Sequence, residues 1–134
     1  MTEKKLHLKI TTHEKIIFDS DVDEIYLKGT KGEFGILPGH IPFMSALDIG
    51  IAKVITKGQT ERFTIMGGIF QLQGNEALIL TQVAENAEEI DVERAKEAEK
   101  RARERLEEGP EGANVQRAEV ALARAIARLK ASQK

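Results

Sequence analysis

Gly29-Thr30-Lys31-Gly32-Glu33-Phe34-Gly35-Ile36-Leu37-Pro38-Gly39-His40 holds four of the chain's 11 glycines and one of its three prolines. That density excludes a helix and predicts a compact loop that uses positive φ. Alternating apolar runs lie on both sides, so the stretch reads as a connection inside a β domain. The Gly-x-x-x-x-Gly-Lys-Ser/Thr spacing is absent and no helical pattern follows, which argues against a phosphate cradle. His40 is its one side chain able to do acid–base work near neutral pH. Two readings stay open: a tight turn, or a shaped docking surface placed by a rigid sheet.

Working back from this stretch, Leu6, Leu8 and Ile10 alternate with polar residues, the period of a half-buried strand. Ile16 and Phe18 begin a second strand, and Val22 to Leu27 reads as a third with Ile25 and Leu27 on one face. Working forward, Phe43, Met44 and Leu47 predict a covering segment or a short strand. Ile49–Thr56 and Thr60–Met66 flank Lys57-Gly58-Gln59 as a hairpin. Gly67-Gly68 predicts a bulge or a close backbone approach. Ile69–Gln73 and Ala77–Val83 flank a second turn at Gly74-Asn75. About eight to ten short strands at regular spacing predict an antiparallel sandwich or flattened barrel.

The pattern changes at Asp91, a suitable N-cap. Val92, Ala95, Ala98, Ala102 and Leu106 recur at spacings of three and four, and Glu97–Arg101 and Glu99–Arg103 have favourable i,i+4 spacing. Gly109-Pro110-Glu111-Gly112 predicts a break. A second helix carries Ala118, Ala121/Leu122, Ala125 and Leu129 as its seam, with Val115 and Ile126 beside it. The organisation expected is α+β: a β-sandwich over residues 1–86, then an antiparallel helical hairpin over 87–134 with helices at about 91–107 and 113–131. A seam of alanines buries little area. The hairpin therefore reads either as detachable from the sheet or as permanently docked on it.

Net charge is −2, which gives no case for nucleic acid. From Val115 onward there are five basic residues and one acid, Glu119, so that end is locally basic. Cysteine is absent, no apolar run approaches the roughly 18 residues of a spanning helix, and Met1–Lys5 leads straight into a strand pattern, which predicts no secretory signal. Independent catalysis finds no support. Ser20, Ser45 and Ser132 lack nucleophile settings, and His40 has no second catalytic group near it in sequence. No His or acidic pair has metal-ligand spacing. Arg94 and Arg101 share a face of the first helix, and Arg124 and Arg128 a face of the second. They suit a polyphosphate, an acidic protein surface or plain solubility.

Together these residues resemble the epsilon subunit of bacterial and chloroplast rotary F-type ATP synthases, over essentially the whole chain. Gly32-Glu33-Phe34-Gly35-Ile36-Leu37-Pro38-Gly39-His40 is similar to the family's Gly-Glu-Leu-Gly-Ile-Leu-Pro-Gly-His signature, with Phe34 in place of Leu. Gly67-Gly68-Ile69-Phe70-Gln71-Leu72 and Ile90-Asp91-Val92-Glu93-Arg94-Ala95 match two further family segments. The resemblance implies a sandwich of about ten strands at the foot of the central stalk. It implies a non-catalytic rotor subunit that couples proton flow to ATP synthesis, peripheral on the cytoplasmic face of the cell membrane and without direct insertion in it. Glu33, Phe34, Gly35, Ile36, Leu37, Pro38, Gly39 and His40 would dock on the gamma subunit and the c-subunit ring. The hairpin would inhibit ATP hydrolysis when extended, with Arg117, Arg124, Arg128 and Lys130 against the alpha/beta catalytic subunits. When folded it would bind ATP as a regulatory ligand through Glu85, Ile90, Asp91, Arg94, Ala95, Arg101, Arg124 and Arg128. No cofactor or metal is required, and the sequence does not fix whether magnesium accompanies ATP. The alternative is a free-standing ATP-sensing β-sandwich with a helical hairpin.

Overall fold

The computed structural model describes residues 5–108 and 113–133. Eight strands precede two helices: β1 (Leu6–Thr11), β2 (Ile16–Val22), β3 (Glu24–Gly29), β4 (Gly32–Ile36), β5 (Phe43–Thr56), β6 (Gln59–Gln73), β7 (Glu76–Leu80), β8 (Ala84–Asn86), α1 (Val92–Glu107) and α2 (Ala113–Ser132). The strands run in the order β2-β1-β7-β6-β5-β3-β4, with β8 also on β6. Every pairing is antiparallel except β1 with β7, which are parallel.

Two long strands serve both layers of the sandwich. The first half of β5 pairs with the second half of β6, which continues to β7, β1 and β2. The second half of β5 pairs with the first half of β6, which is flanked by β8 and β3. The change of layer falls at Gly67 and Gly68, both at positive φ. Splitting β5 and β6 there turns eight strands into ten segments, which reconciles the two counts. Phe43–Leu47 is thus a full part of β5 rather than a cover.

The core lies between the layers. Leu6, Leu8, Ile10, Phe70, Leu72 and Ile79 come from one side and Ile25, Leu27, Val54, Phe63 and Ile65 from the other. Period-two alternation puts these residues inward, and each large side chain contributes about 1.5–3 kcal/mol by leaving water. Lys57 and Gly58 both take positive φ in the two-residue β5–β6 turn, so the left-handed demand falls on Lys57 as well as on the glycine.

The opening stretch is corrected in one respect. Gly32–Ile36 forms β4 on the sheet edge, paired with β3, rather than continuing as loop. Glycine density does not forbid an edge strand when inward positions are filled, here by Phe34 and the buried Ile36. Gly35 is needed because a Cβ there would lie 2.7 Å from the Tyr26 ring. Gly32 and Gly39 supply the positive φ expected.

Asp91 caps α1, its carboxylate accepting from the Arg94 amide at 3.1 Å. Of the two charge pairs expected along α1, Glu99–Arg103 forms at 3.8 Å. Glu97–Arg101 does not appear among the described residues, and Glu93–Lys96 does at 3.9 Å. Gly109–Gly112 lies outside the described residues.

α2 is buried on two sides. Ala118 and Ala125 occupy the seam towards Ala95 and Ala102 of α1, whereas Ala127 and Ala131 form a second buried stripe towards β5 and β6. So α2 rests on the outer face of the second layer, and α1 rests on α2.

On the opposite outer face, His7 sits between Asp19 at 2.5 Å and Asp21 at 2.8 Å, across the β1–β2 pair. The hydrogen bond with Asp21, then that with Asp19, holds its pKa above 6.5. Its contribution to stability is therefore complete below pH 6.5 and is lost as pH rises through the raised value. Thermal unfolding should show a deficit for His7→Gln below pH 6.5 that shrinks as pH rises through the raised value; a deficit independent of pH would rule this out.

Candidate functional site

The first candidate region is the Glu33–His40 stretch. Glu33 is exposed on β4, and Phe34 packs edge-on to Phe43 at 5.1 Å and against Phe70 at 5.7 Å. Leu37 to His40 make a turn, closed by the His40 amide donating to the Leu37 carbonyl at 3.2 Å. The Gly39 amide donates to Asn75 Oδ1 in the β6–β7 turn, which ties the two loops together. His40 Nδ1 donates to the Ile41 carbonyl at 2.7 Å, and its ring meets Phe43 edge-on. That nitrogen is thus committed to holding the loop, and a general base role for His40 finds no partner here. Ile36 is buried in the core. It anchors the strand from inside, so any docking at this stretch would fall to its exposed neighbours.

Sequence reading missed an exposed apolar surface beside this loop. Ala46, Ile69 and Leu80 stand in one cross-strand row on β5, β6 and β7, next to a row of Met44, Gln71 and Leu78. Met44 is 65% exposed, Ile69 and Leu80 are each 49% exposed, and Leu37 and Ile41 are exposed nearby. Exposed apolar surface grouped in this way marks an interaction site more often than scattered residues do. The available signal was phase: Phe70 and Leu72 must point inward, so Ile69 must point out.

The second candidate region lies where α2 meets the sheet. Arg124, Ala127, Arg128 and Ala131 are spaced i, i+3, i+4 and i+7, which makes them one stripe. Arg128 Nε donates to Glu85 Oε1 at 2.7 Å, between α2 and β8. The hydroxyl of fully buried Thr64, on β6, donates to the same oxygen at 3.3 Å. Arg124 Nε is buried and has no hydrogen-bond partner among the described residues. A buried guanidinium nitrogen without an acceptor is costly unless a ligand or water completes it.

The remaining residues of this expected set are only partly gathered. The Asp91 side chain is engaged in capping α1, Ile90 is half-buried and Ala95 is buried in the helix seam. Arg94 and Arg101 are exposed on α1 and make no side-chain hydrogen bond or ion pair among the described residues. Arg124 and Arg128 thus face the sheet rather than meeting the α1 arginines across the hairpin. Arg117 and Lys130 are exposed on α2. No cluster of three or more potential metal ligands occurs among the described residues, and no helix there is long and apolar enough to cross a membrane.

Residues 5–87 match the beta-sandwich domain of the ATP synthase delta/epsilon chain, and residues 88–133 match its long alpha-helix domain. The chain belongs to the ATP synthase delta/epsilon family. An ATP synthase epsilon chain from Nitratidesulfovibrio vulgaris is 42% identical over 128 residues, 96% of each chain. One from Bacillus velezensis is 40% identical over 126 residues, covering 94% of this chain and 96% of the relative. Among solved structures, a chain of the Euglena gracilis mitochondrial ATP synthase OSCP/F1/c-ring assembly superposes with a TM-score of 0.85. It is 28% identical, and the match covers 97% of this chain and 82% of that one. The relatives are ATP synthase epsilon chains, a non-catalytic part of the complex.

Proposed function

We propose that this chain is the epsilon subunit of a proton-translocating ATP synthase, and that it acts as a rotor subunit with a detachable brake. The sandwich docks on the gamma subunit and the c ring through Glu33, Phe34, Leu37 and the His40 turn, together with the apolar surface of Met44, Ile69 and Leu80. The subunit works at the cytoplasmic face of the cell membrane, held there by its partners, and carries torque between proton flow and ATP synthesis. Folded on the sandwich, the hairpin permits turnover. Extended, it carries Arg117, Arg124, Arg128 and Lys130 to the acidic surface of the alpha/beta subunits and blocks ATP hydrolysis.

The observation that carries this reading is how α2 is held. Its sheet-facing stripe has two alanines and two arginines, so it releases little apolar surface on leaving. The same arginines then become available to an acidic partner. ATP is the regulatory ligand of the folded state, held at the sheet-facing stripe of α2 by Glu85, Arg124 and Arg128, with no further cofactor. A ligand that binds only the folded form draws the population towards it. A free-standing ATP sensor would share the arginines but would have no use for the exposed row of Ala46, Ile69 and Leu80.

The test is ATP hydrolysis by the matching catalytic core, reconstituted with the full chain or with residues 1–90, with binding followed by gel filtration. Both forms should bind and only the full chain should inhibit. If both bind and neither inhibits, the brake is lost from the proposal. If neither binds, the rotor assignment fails.

A further inference from the structure

A helix ends with carbonyl groups that have no partner within the helix, and with the negative end of its dipole. At the end of α2, Ser132 Oγ donates to the Leu129 carbonyl at 2.8 Å, and the Gln133 amide donates to the Lys130 carbonyl at 3.2 Å. The Gln133 carbonyl is satisfied from elsewhere. Arg62 Nη1, on β6 of the sandwich, donates to it at 2.6 Å, across 71 positions of sequence. We infer that Arg62 is a docking-dependent C-cap, a guanidinium mounted on the sheet that completes the end of α2 only while the hairpin is folded down.

The position of Arg62 supports this. It lies on the outer face of β6, directly opposite Lys53 of β5, and of the two it is Arg62 whose side chain reaches the end of α2. It makes no ion pair among the described residues. Lys130, the basic residue of the last helical turn, is exposed. Arg62 also lines an open cavity of about 730 Å³ with Asn86, Glu88, Ala131 and Ser132, so water reaches the contact and can replace it. Among the described residues, α1 makes no side-chain hydrogen bond to the sandwich and packs mainly on α2.

The consequence is an ordered release. When α2 lifts, the Gln133 carbonyl loses its charged donor and the last turn frays. A frayed end in turn weakens redocking, because the carbonyl no longer stands in a fixed place for Arg62. The cap therefore couples hairpin position to the order of its final residues. It rests on the detachable hairpin of the proposed function, but not on whether the extended form inhibits hydrolysis.

Hydrogen exchange on the isolated full chain tests this, comparing wild type with Arg62→Ala, Arg62→Lys and Lys53→Ala. Arg62→Ala should speed amide exchange over residues 129–133 by roughly tenfold, the scale of one charge-assisted hydrogen bond. The rates in β5 and β6 should be unchanged. Lys53→Ala should resemble wild type there. Arg62→Lys should fall between, because a single donor is used. Unchanged exchange at residues 129–133 in Arg62→Ala would overturn the inference. So would acceleration spread evenly over β5 and β6, since Arg62 would then merely support the sheet.

Discussion

Gly68→Ala is expected to cost about 3 kcal/mol or more of folding stability, among the largest effects of any single alanine substitution here. Two independent penalties fall on one methyl group. Gly68 has φ of 129°, a conformation that an L side chain rarely adopts. A Cβ built there would also lie 2.1 Å from the Leu80 carbonyl oxygen and 3.0 Å from the Thr81 Cα. Those neighbours are backbone, so no rotamer change relieves the overlap. The Thr81 hydroxyl fixes the same place by donating to the Gly67 carbonyl at 2.6 Å. Gly74→Ala is the comparison: φ is also positive, at 63°, but a Cβ there meets open space. It should cost only the backbone term, about 1–2 kcal/mol. Urea unfolding of the two variants measures the difference. A Gly68→Ala protein within about 1 kcal/mol of Gly74→Ala would show that the layer crossing yields easily, and the two-layer account of β5 and β6 would need revision.

What the sequence disclosed followed the reach of its periodicities. Leu6, Leu8 and Ile10 on β1, Ile25 and Leu27 on β3, and the turn at Lys57-Gly58 were legible because neighbours along the chain decide them. Gly67-Gly68 was legible as a bulge or close approach, but its role in carrying one strand through two layers was not, because that depends on Leu80, at the end of a later strand, and on Thr81 just after it. β4 was hidden for a related reason. Its glycines are set by contact with the Tyr26 ring and by the turn at Gly32, and neither signal distinguishes a loop from an edge strand.

At the candidate site, the spacing of Arg124 and Arg128 put them on one face, yet spacing cannot say which neighbour that face meets. The second alanine stripe, Ala127 and Ala131, answers this. A helix with two small-residue faces fits between two partners, so the arginines turn towards the sheet and Glu85. The Arg62 contact was invisible for want of any pattern: one guanidinium and one carbonyl leave no trace in local sequence.

Arg124→Met is expected to leave the stability of the ligand-free chain nearly unchanged while abolishing stabilisation by ATP. At an ATP concentration a hundredfold above the dissociation constant, a ligand that binds only the folded form adds about 2.7 kcal/mol. That gain would be lost in the variant. The two halves of this expectation have separate causes. Without ligand, Arg124 Nε is buried and has no partner among the described residues, so an apolar side chain of similar length removes a cost rather than a bond. In the proposed ATP-bound form, the same nitrogen would meet a phosphate oxygen and become a charge-assisted donor. Arg128→Ala would not separate these effects. It strands the half-buried Glu85 carboxylate that now accepts at 2.7 Å, so the ligand-free protein suffers as well. Arg94→Ala tests whether the exposed face of α1 joins the proposed site; if it does, the variant should reduce the ATP shift with little change in the ligand-free midpoint. Thermal unfolding with and without ATP reads all three variants. If Arg124→Met lost stability without ATP and kept the full ATP shift, Arg124 would be a structural residue, and the nucleotide would have to bind away from the sheet-facing stripe of α2.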